Sequence, residues 1–197
     1  MVQEYLEEQI QEAVGVLKRG GVVVFPTETA YGLAADATNE AAVERVTQIK
    51  GRVEDKSFPL IAASREMVER FAGIPQGLEK LVSTYWPGPL TLVLPVMEGE
   101  LAQRVIHDKT VAIRVSSHPL ARALSEGLGK PIVSTSANLS DRPACYSVEN
   151  VRIQLGDTPD AYLDGGTLEP QPPSTIVTID DYGYPEVIRQ GSIEIDV

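Results

Sequence analysis

Pro131-Ile132-Val133-Ser134-Thr135-Ser136-Ala137-Asn138 is a short apolar run that passes without a break into three hydroxyls and an amide. Its first three residues predict a buried strand, and the next five predict a polar loop at the strand's carboxyl end. In open α/β sheets, ligands bind outside the carboxyl ends of strands. A polar turn closed by the asparagine accounts for the same residues. The distant segment that complements this one is Lys50-Gly51-Arg52, with two cations on either side of a glycine where a helical pattern stops. Helix end-capping favoured by the dipole explains such a pair. So does a site for nucleotide phosphates, because cations with convergent neutral donors are what phosphates require and glycine admits a ligand close to the backbone.

Working outward, helical spacing runs from Tyr5 to Lys18 and ends at Gly20-Gly21. Val22 to Phe25 follows as a strand stopped by Pro26, and Thr27 to Leu33 is a loop or an irregular second strand. Asn39 is placed to cap a helix through Lys50, and Ser64 one from Arg65 to Phe71. Further helices are predicted over 77–85, over 119–128 with Pro119 in the first turn, and over 148–155 behind Ser147. Strands are predicted at 59–62, 90–94, 111–115 and 131–133, Ala161-Tyr162-Leu163 leads into a turn at Gly165-Gly166, and the last two strands, 175–179 and 186–189, form a hairpin. Several strand-to-strand joins are too short for a crossover helix, so the expected fold is α/β with a mixed sheet, in one domain over 1–197.

Composition narrows the function. The net charge of −11 argues against a general nucleic-acid binder yet permits a local basic pocket for a small anion. At 197 residues the chain can bury roughly 70% of its unfolded surface without staples. One cysteine, Cys145, and no long apolar run predict a cytoplasmic, soluble protein. Cys145, His107 and His118 supply too few soft ligands for structural zinc. His118, before a helix-starting proline, reads as a cap. No P-loop, Rossmann glycine pattern, zincin helix or nucleophile elbow is present. Arg114 lies inside the apolar strand Ala112-Ile113-Arg114-Val115 and demands an anionic partner, either an internal carboxylate or a ligand carboxylate or phosphate. Pro26-Thr27-Glu28-Thr29-Ala30-Tyr31-Gly32 adds small hydroxyls, one carboxylate and an aromatic face beside a strand end.

As an ordered set, these segments resemble the YrdC-like family of threonylcarbamoyl-AMP synthases. The resemblance rests on Phe25 to Leu33, Ile49 to Arg52, Phe58 to Ile61, Trp86 to Thr91, Ala112 to Val115, Ser134 to Asn138, Pro173 to Thr175 and Val187 to Gly191. It implies an open, twisted mixed sheet with helices around it and a concave, positively charged cleft. It implies that threonine, bicarbonate and ATP become threonylcarbamoyl-AMP and pyrophosphate, which other proteins use to modify tRNA. Carried over, Lys50 and Arg52 are the candidate catalytic cations and bind ATP with Thr110, Ser136, Asn138 and Arg189. Thr27, Tyr31, Arg114, Ser134 and Ser174 form the threonine side, with Arg114 toward the amino-acid carboxylate. ATP enters as substrate with Mg2+ on its triphosphate, and no protein-built metal site is expected.

Three departures stand out. Val53 follows Arg52 where relatives often have proline, and Ala63 stands where long members carry histidine. The sequence ends soon after Arg189, so the resemblance is to the short form without a covering second domain. The alternatives are a carbamoyl-transfer module, an RNA-binding module of the same fold, and a paralogue that has lost the reaction.

Overall fold

The computed structural model describes residues 2–51, 57–97 and 99–195. Helix α1 (Val2–Lys18) leads into β1 (Val23–Pro26), β2 (Tyr31–Ala34), α2 (Glu40–Lys50) and β3 (Leu60–Ala62). Then come α3 (Arg65–Phe71), α4 (Glu79–Tyr85), β4 (Leu90–Pro95), β5 (Ile106–His107) and β6 (Thr110–Val115). The chain continues through α5 (Pro119–Leu128), β7 (Ile132–Val133), β8 (Thr135–Ser136) and α6 (Val148–Leu155). It closes with β9 (Ala161–Tyr162), β10 (Thr175–Ile179) and β11 (Pro185–Arg189). The strands form two sheets, ordered β8-β2-β1-β9 and β11-β10-β4-β6-β3-β7, with β5 pairing β6. Both sheets are mixed: β1 runs antiparallel to β2 but parallel to β9, and β6 runs parallel to β3 but antiparallel to β4.

Side-chain alternation along the strands explains the layering. Val24, Leu60 and Val133 point into one apolar cluster, while Val23, Phe25, Ile61 and Ile132 point into a second cluster formed with α1 and α5. These strands are buried on both faces, which is why they read as continuous apolar runs. Farther out in the seven-stranded sheet, only one face is filled. Val111, Ile113 and Val115 of β6, with Leu90, Leu92 and Leu94 of β4, enter the first cluster. The opposite row carries Thr110, Ala112 and Arg114 on β6 and Thr91 and Val93 on β4. Ile61 pairs in register with Arg114, so α5 covers this face up to β3 and leaves it at β6. The sheet face without a helix is the floor of the site.

The local signals hold at the helix starts. The Asn39, Ser64 and Ser147 side chains accept N–H bonds from Ala42, Met67 and Asn150, and His118 Nδ1 accepts the N–H of Leu120. Two expectations need correction. The helix predicted over 77–85 is a 3-10 turn (Gln76–Leu78) followed by α4. A Cβ on Gly77 would lie 2.3 Å from Gly183 O, so contact with the β10–β11 turn shapes that entry. Pro26 does not stop β1 but ends it opposite Tyr31, at the hairpin terminus.

Candidate functional site

A cavity of about 390 Å³ opens where β1 turns into β2 and faces the strand face around Arg114. It gathers seven of the residues singled out in the sequence: Thr27, Tyr31, Arg114, Ser134, Ser136, Ser174 and Arg189. Thr27 is placed by its own turn. Its hydroxyl donates to Ala30 O at 2.7 Å and accepts the N–H groups of Thr29 and Ala30 at 3.2 Å. Ser134 is set by the strand before it, through its N–H bond to Pro59 O at 2.8 Å. Ser174 Oγ lies 2.8 Å from Thr91 Oγ1, and Arg189 Nη2 donates to Ser174 O at 2.7 Å.

Arg114 finds the internal carboxylate that its burial demands. Its Nε donates to Glu28 Oε1 at 3.0 Å, and its side chain is only 5% exposed. Burial alone would raise the Glu28 carboxyl. The Arg114 charge and the Ser116 hydroxyl on Oε2 outweigh it, so the group stays below the usual glutamate range. Arg189 is pushed down from the ordinary arginine value, first by burial and then by the positive charge of Arg114. Two guanidinium groups thus share the walls of one cavity.

The two far-apart segments of the sequence do meet. Lys50 Nζ donates to Ser136 O at 2.6 Å and to Asn138 O at 3.1 Å, and the Ser140 N–H donates to Lys50 O at 3.1 Å. The ammonium is therefore bound into the backbone of the hydroxyl segment rather than lining the cavity. The Asn138 amide donates to Leu139 O and Arg142 O, so it also closes a turn. Gly51 is the left-handed C-cap of α2 at φ 59°, which is the end-capping explanation of that glycine. Arg52 lies outside the described residues. Thr110 stands apart from the cavity, with its hydroxyl donating to His107 O at 2.7 Å.

A second recess, about 420 Å³, continues along the same sheet face. It shares Pro59, Ser174 and Arg189 with the cavity and adds Thr91, Val93, Ala112 and Ile176. Thr110 lies two residues along β6 from Ala112. His107 borders this recess and pairs with exposed Asp108, whereas His118 acts as a cap. Buried Cys145 has a thiol pushed up by burial, partly countered by the Lys50 charge, and its Sγ accepts a bond from the Gln154 amide at 3.3 Å.

The sequence shows Glu28 without joining it to Arg114, and it gives no sign of Ser116, Tyr146 or Gln171 as site residues. Glu28 was visible as the one carboxylate in the 26–32 segment, and a strand arginine without an anion was the signal that should have joined them. Tyr146 and Gln171 line the cavity from loops that carry no local signature. Among the described residues, no group of three or more His, Cys, Asp or Glu could hold a metal ion.

Comparison with known proteins follows the same outline. The family model Sua5/YciO/YrdC, described as telomere recombination, matches residues 15–191. A threonylcarbamoyl-AMP synthase of Vibrio vulnificus is 40% identical over 186 residues, covering 92% of this chain and 98% of the relative. One from Pyrococcus abyssi is 38% identical over 199 residues, covering 99% of this chain but 58% of the relative. The crystal structure of P. abyssi Sua5 complexed with L-threonine superposes with a TM-score of 0.85 over 92% of this chain and 54% of that one, at 38% identity. Escherichia coli YciO, at 30% identity, gives 0.81 over 92% and 88%.

Proposed function

The chain belongs to the Sua5/YciO/YrdC family, and on that premise we propose that it is an L-threonylcarbamoyladenylate synthase, a nucleotidyltransferase that makes threonylcarbamoyl-AMP for tRNA modification. The observation that carries this reading is the meeting of the Lys50 helix end with the Ser134–Asn138 loop beside a cavity walled by Arg114 and Arg189. The relatives named for this reaction, and the Sua5 complex with L-threonine, support it.

The chemistry follows from the residues. The threonine amine adds to bicarbonate and gives a carbamate with loss of water. A carbamate oxygen attacks the α-phosphorus of ATP, and pyrophosphate departs. No side chain needs to become covalent, so catalysis rests on placing reactants and offsetting developing negative charge. Arg114 has a guanidinium suited to the threonine carboxylate, with Thr27, Ser134 and Ser174 as neutral partners around it, and Tyr31 as a wall. Arg189 and Ser136 take the phosphates with Arg52, on a loop that Lys50 holds in register and the Asn138 amide closes. The neighbouring recess offers Val93, Ala112 and Ile176 as apolar contacts for the nucleoside end, near Thr110. The donors around the cavity are cations and hydroxyls; among the described residues the nearby carboxylates Glu28 and Asp164 are outside the lining and are bonded to Arg114 and Tyr31. They do not fit a resident metal, and magnesium enters as part of the ATP substrate.

No helix among the described residues is long and apolar enough to cross a membrane. We place the reaction in the cytoplasm, as one domain over 1–197 whose product passes to proteins that load tRNA. The test is incubation with ATP, L-threonine and bicarbonate, reading the acyl-adenylate and pyrophosphate. Pyrophosphate release requires both other substrates, and Lys50→Ala loses it by about two orders of magnitude while the fold persists. Arg114→Ala raises the threonine KM more than the ATP KM. An unchanged rate in Lys50→Ala removes that residue from the mechanism.

A further inference from the structure

We infer that Glu28 is a positioning residue for the threonine side of the site, acting through Arg114; this rests on the synthase reading above. Glu28 is absent from the cavity lining, and its side chain is 12% exposed. Both carboxylate oxygens are occupied. Oε1 accepts from Arg114 Nε at 3.0 Å, and Oε2 accepts from the Ser116 hydroxyl. The Ser116 hydroxyl in turn accepts the His118 N–H at 3.1 Å, and Arg122 donates to Ser116 O at 2.6 Å. The carboxylate is therefore anchored to the start of α5, whose Leu120, Ala121 and Leu124 are buried in the second apolar cluster.

The geometry of this grip matters. Glu28 holds the Nε side of the guanidinium, and among the described residues the two terminal Nη groups of Arg114 have no hydrogen-bond partner. Those two nitrogens form the edge that binds a carboxylate through two parallel bonds. Pinning the guanidinium at Nε leaves this edge to the cavity that Arg114 lines. The same carboxylate offsets one of the two positive charges that Arg114 and Arg189 bring to the walls, so both guanidiniums can remain before substrate arrives. With neither oxygen open, and with the carboxyl stable as an anion, Glu28 is not placed to take the proton from the threonine amine.

The measurement is L-threonine binding by calorimetry beside steady-state kinetics for wild type, Glu28→Gln, Arg114→Gln and the double variant. Glu28→Gln raises the threonine Kd and KM by roughly tenfold or more, as expected when a charge-assisted bond that orients a guanidinium is lost. The ATP KM stays within about threefold of wild type, and the pH dependence of kcat keeps its shape. In the Arg114→Gln background, Glu28→Gln adds no further rise, because residues acting as a unit are not additive. Ser116→Ala shows the same threonine-selective effect to a smaller degree, and it carries the test if Glu28→Gln fails to fold. Additive effects overturn the proposal, as does an equal rise in both KM values. Loss of the acidic limb of the pH profile overturns it in favour of a base. A wild-type protein that neither binds threonine nor forms the acyl-adenylate overturns the synthase reading itself. A wild type that does both, beside an unaltered Glu28→Gln, overturns only this proposal.

Discussion

Tyr31 shows how one side chain beside the cavity can carry a structural bond that its local sequence does not announce. Tyr31 is among the residues around the cavity but is fully buried, and its hydroxyl is committed to the 164–166 turn. It lies 2.7 Å from Gly166 O and 3.1 Å from Asp164 Oδ1, and accepts the Gly165 N–H at 3.0 Å. Burial pushes the phenol up to about 12, and the Asp164 charge adds to that, so it stays protonated as a donor at any physiological pH. The hydroxyl is thus the post that ties the 164–166 turn to β2. Tyr31→Phe removes the hydrogen bonds to an exposed turn whose groups water can then satisfy, and the cost is about 0.5–1.5 kcal/mol in a urea titration. Amide exchange at Gly165 and Gly166 rises with it, whereas the threonine requirement moves far less than in Arg114→Ala. Exchange rates at those two glycines that match wild type would show that the turn does not depend on the phenol.

Helix ends were readable because a cap is a local bargain between a side chain and the next three amides. Asn39, Ser64, His118 and Ser147 each sit where the sequence puts them. His118 carries a pH consequence. Its Nδ1 accepts the Leu120 N–H at 3.3 Å, which only the neutral ring can do. Burial is the main reason its pKa lies below the usual 6.5; the Arg122 charge adds to this, and Glu28 opposes it. As pH falls through 6.5, the unfolded chain takes up the proton first, so stability is lost progressively below that point and is fully present above it. Replacing His118 by Asn keeps a cap acceptor at every pH. The fall in unfolding free energy between pH 7.5 and pH 5.5, read from urea titrations, is expected to be smaller in His118→Asn than in wild type, by an amount within the roughly 0.5–2 kcal/mol worth of a cap. At the other end of α2, an added Cβ on Gly51 meets nothing within 4 Å, so Gly51→Ala pays only for its positive φ, about 1–2 kcal/mol by urea midpoint. Short strands escaped the reading for the opposite reason. Two-residue β8 and β9 exist because β2 and β1 offer partners, and no local pattern announces that.

At the scale of the whole molecule, the sheet class was legible from short joins between strands, but the division into two sheets was not, since it depends on which distant edges meet. The site followed the same rule. The ordered motifs contain seven of the residues that line the cavity, while the Arg114–Glu28 pairing spans 86 positions and required the fold. The last wall of the cavity depends on another long-range fit. Gly191 donates its N–H to Thr175 Oγ1 at 2.9 Å, and the Ser192 N–H donates to Pro173 O at 2.9 Å, beside the Arg189 bond to Ser174 O. A Cβ on Gly191 would stand 2.0 Å from Pro173 O and 2.6 Å from the Ser174 carbonyl carbon, both backbone atoms that cannot swing aside. Gly191→Ala must therefore push the segment after β11 away from the start of β10, and Ser174 and Arg189 move together because one holds the other. Overpacking of this kind costs about 1–3 kcal/mol. Since Ser174 is assigned to threonine and Arg189 to the phosphates, the two KM values rise together in this variant, unlike the threonine-selective pattern of Glu28→Gln. A Gly191→Ala protein with wild-type kinetics and an unshifted urea midpoint would mean that this wall is not set by the close approach at residue 191.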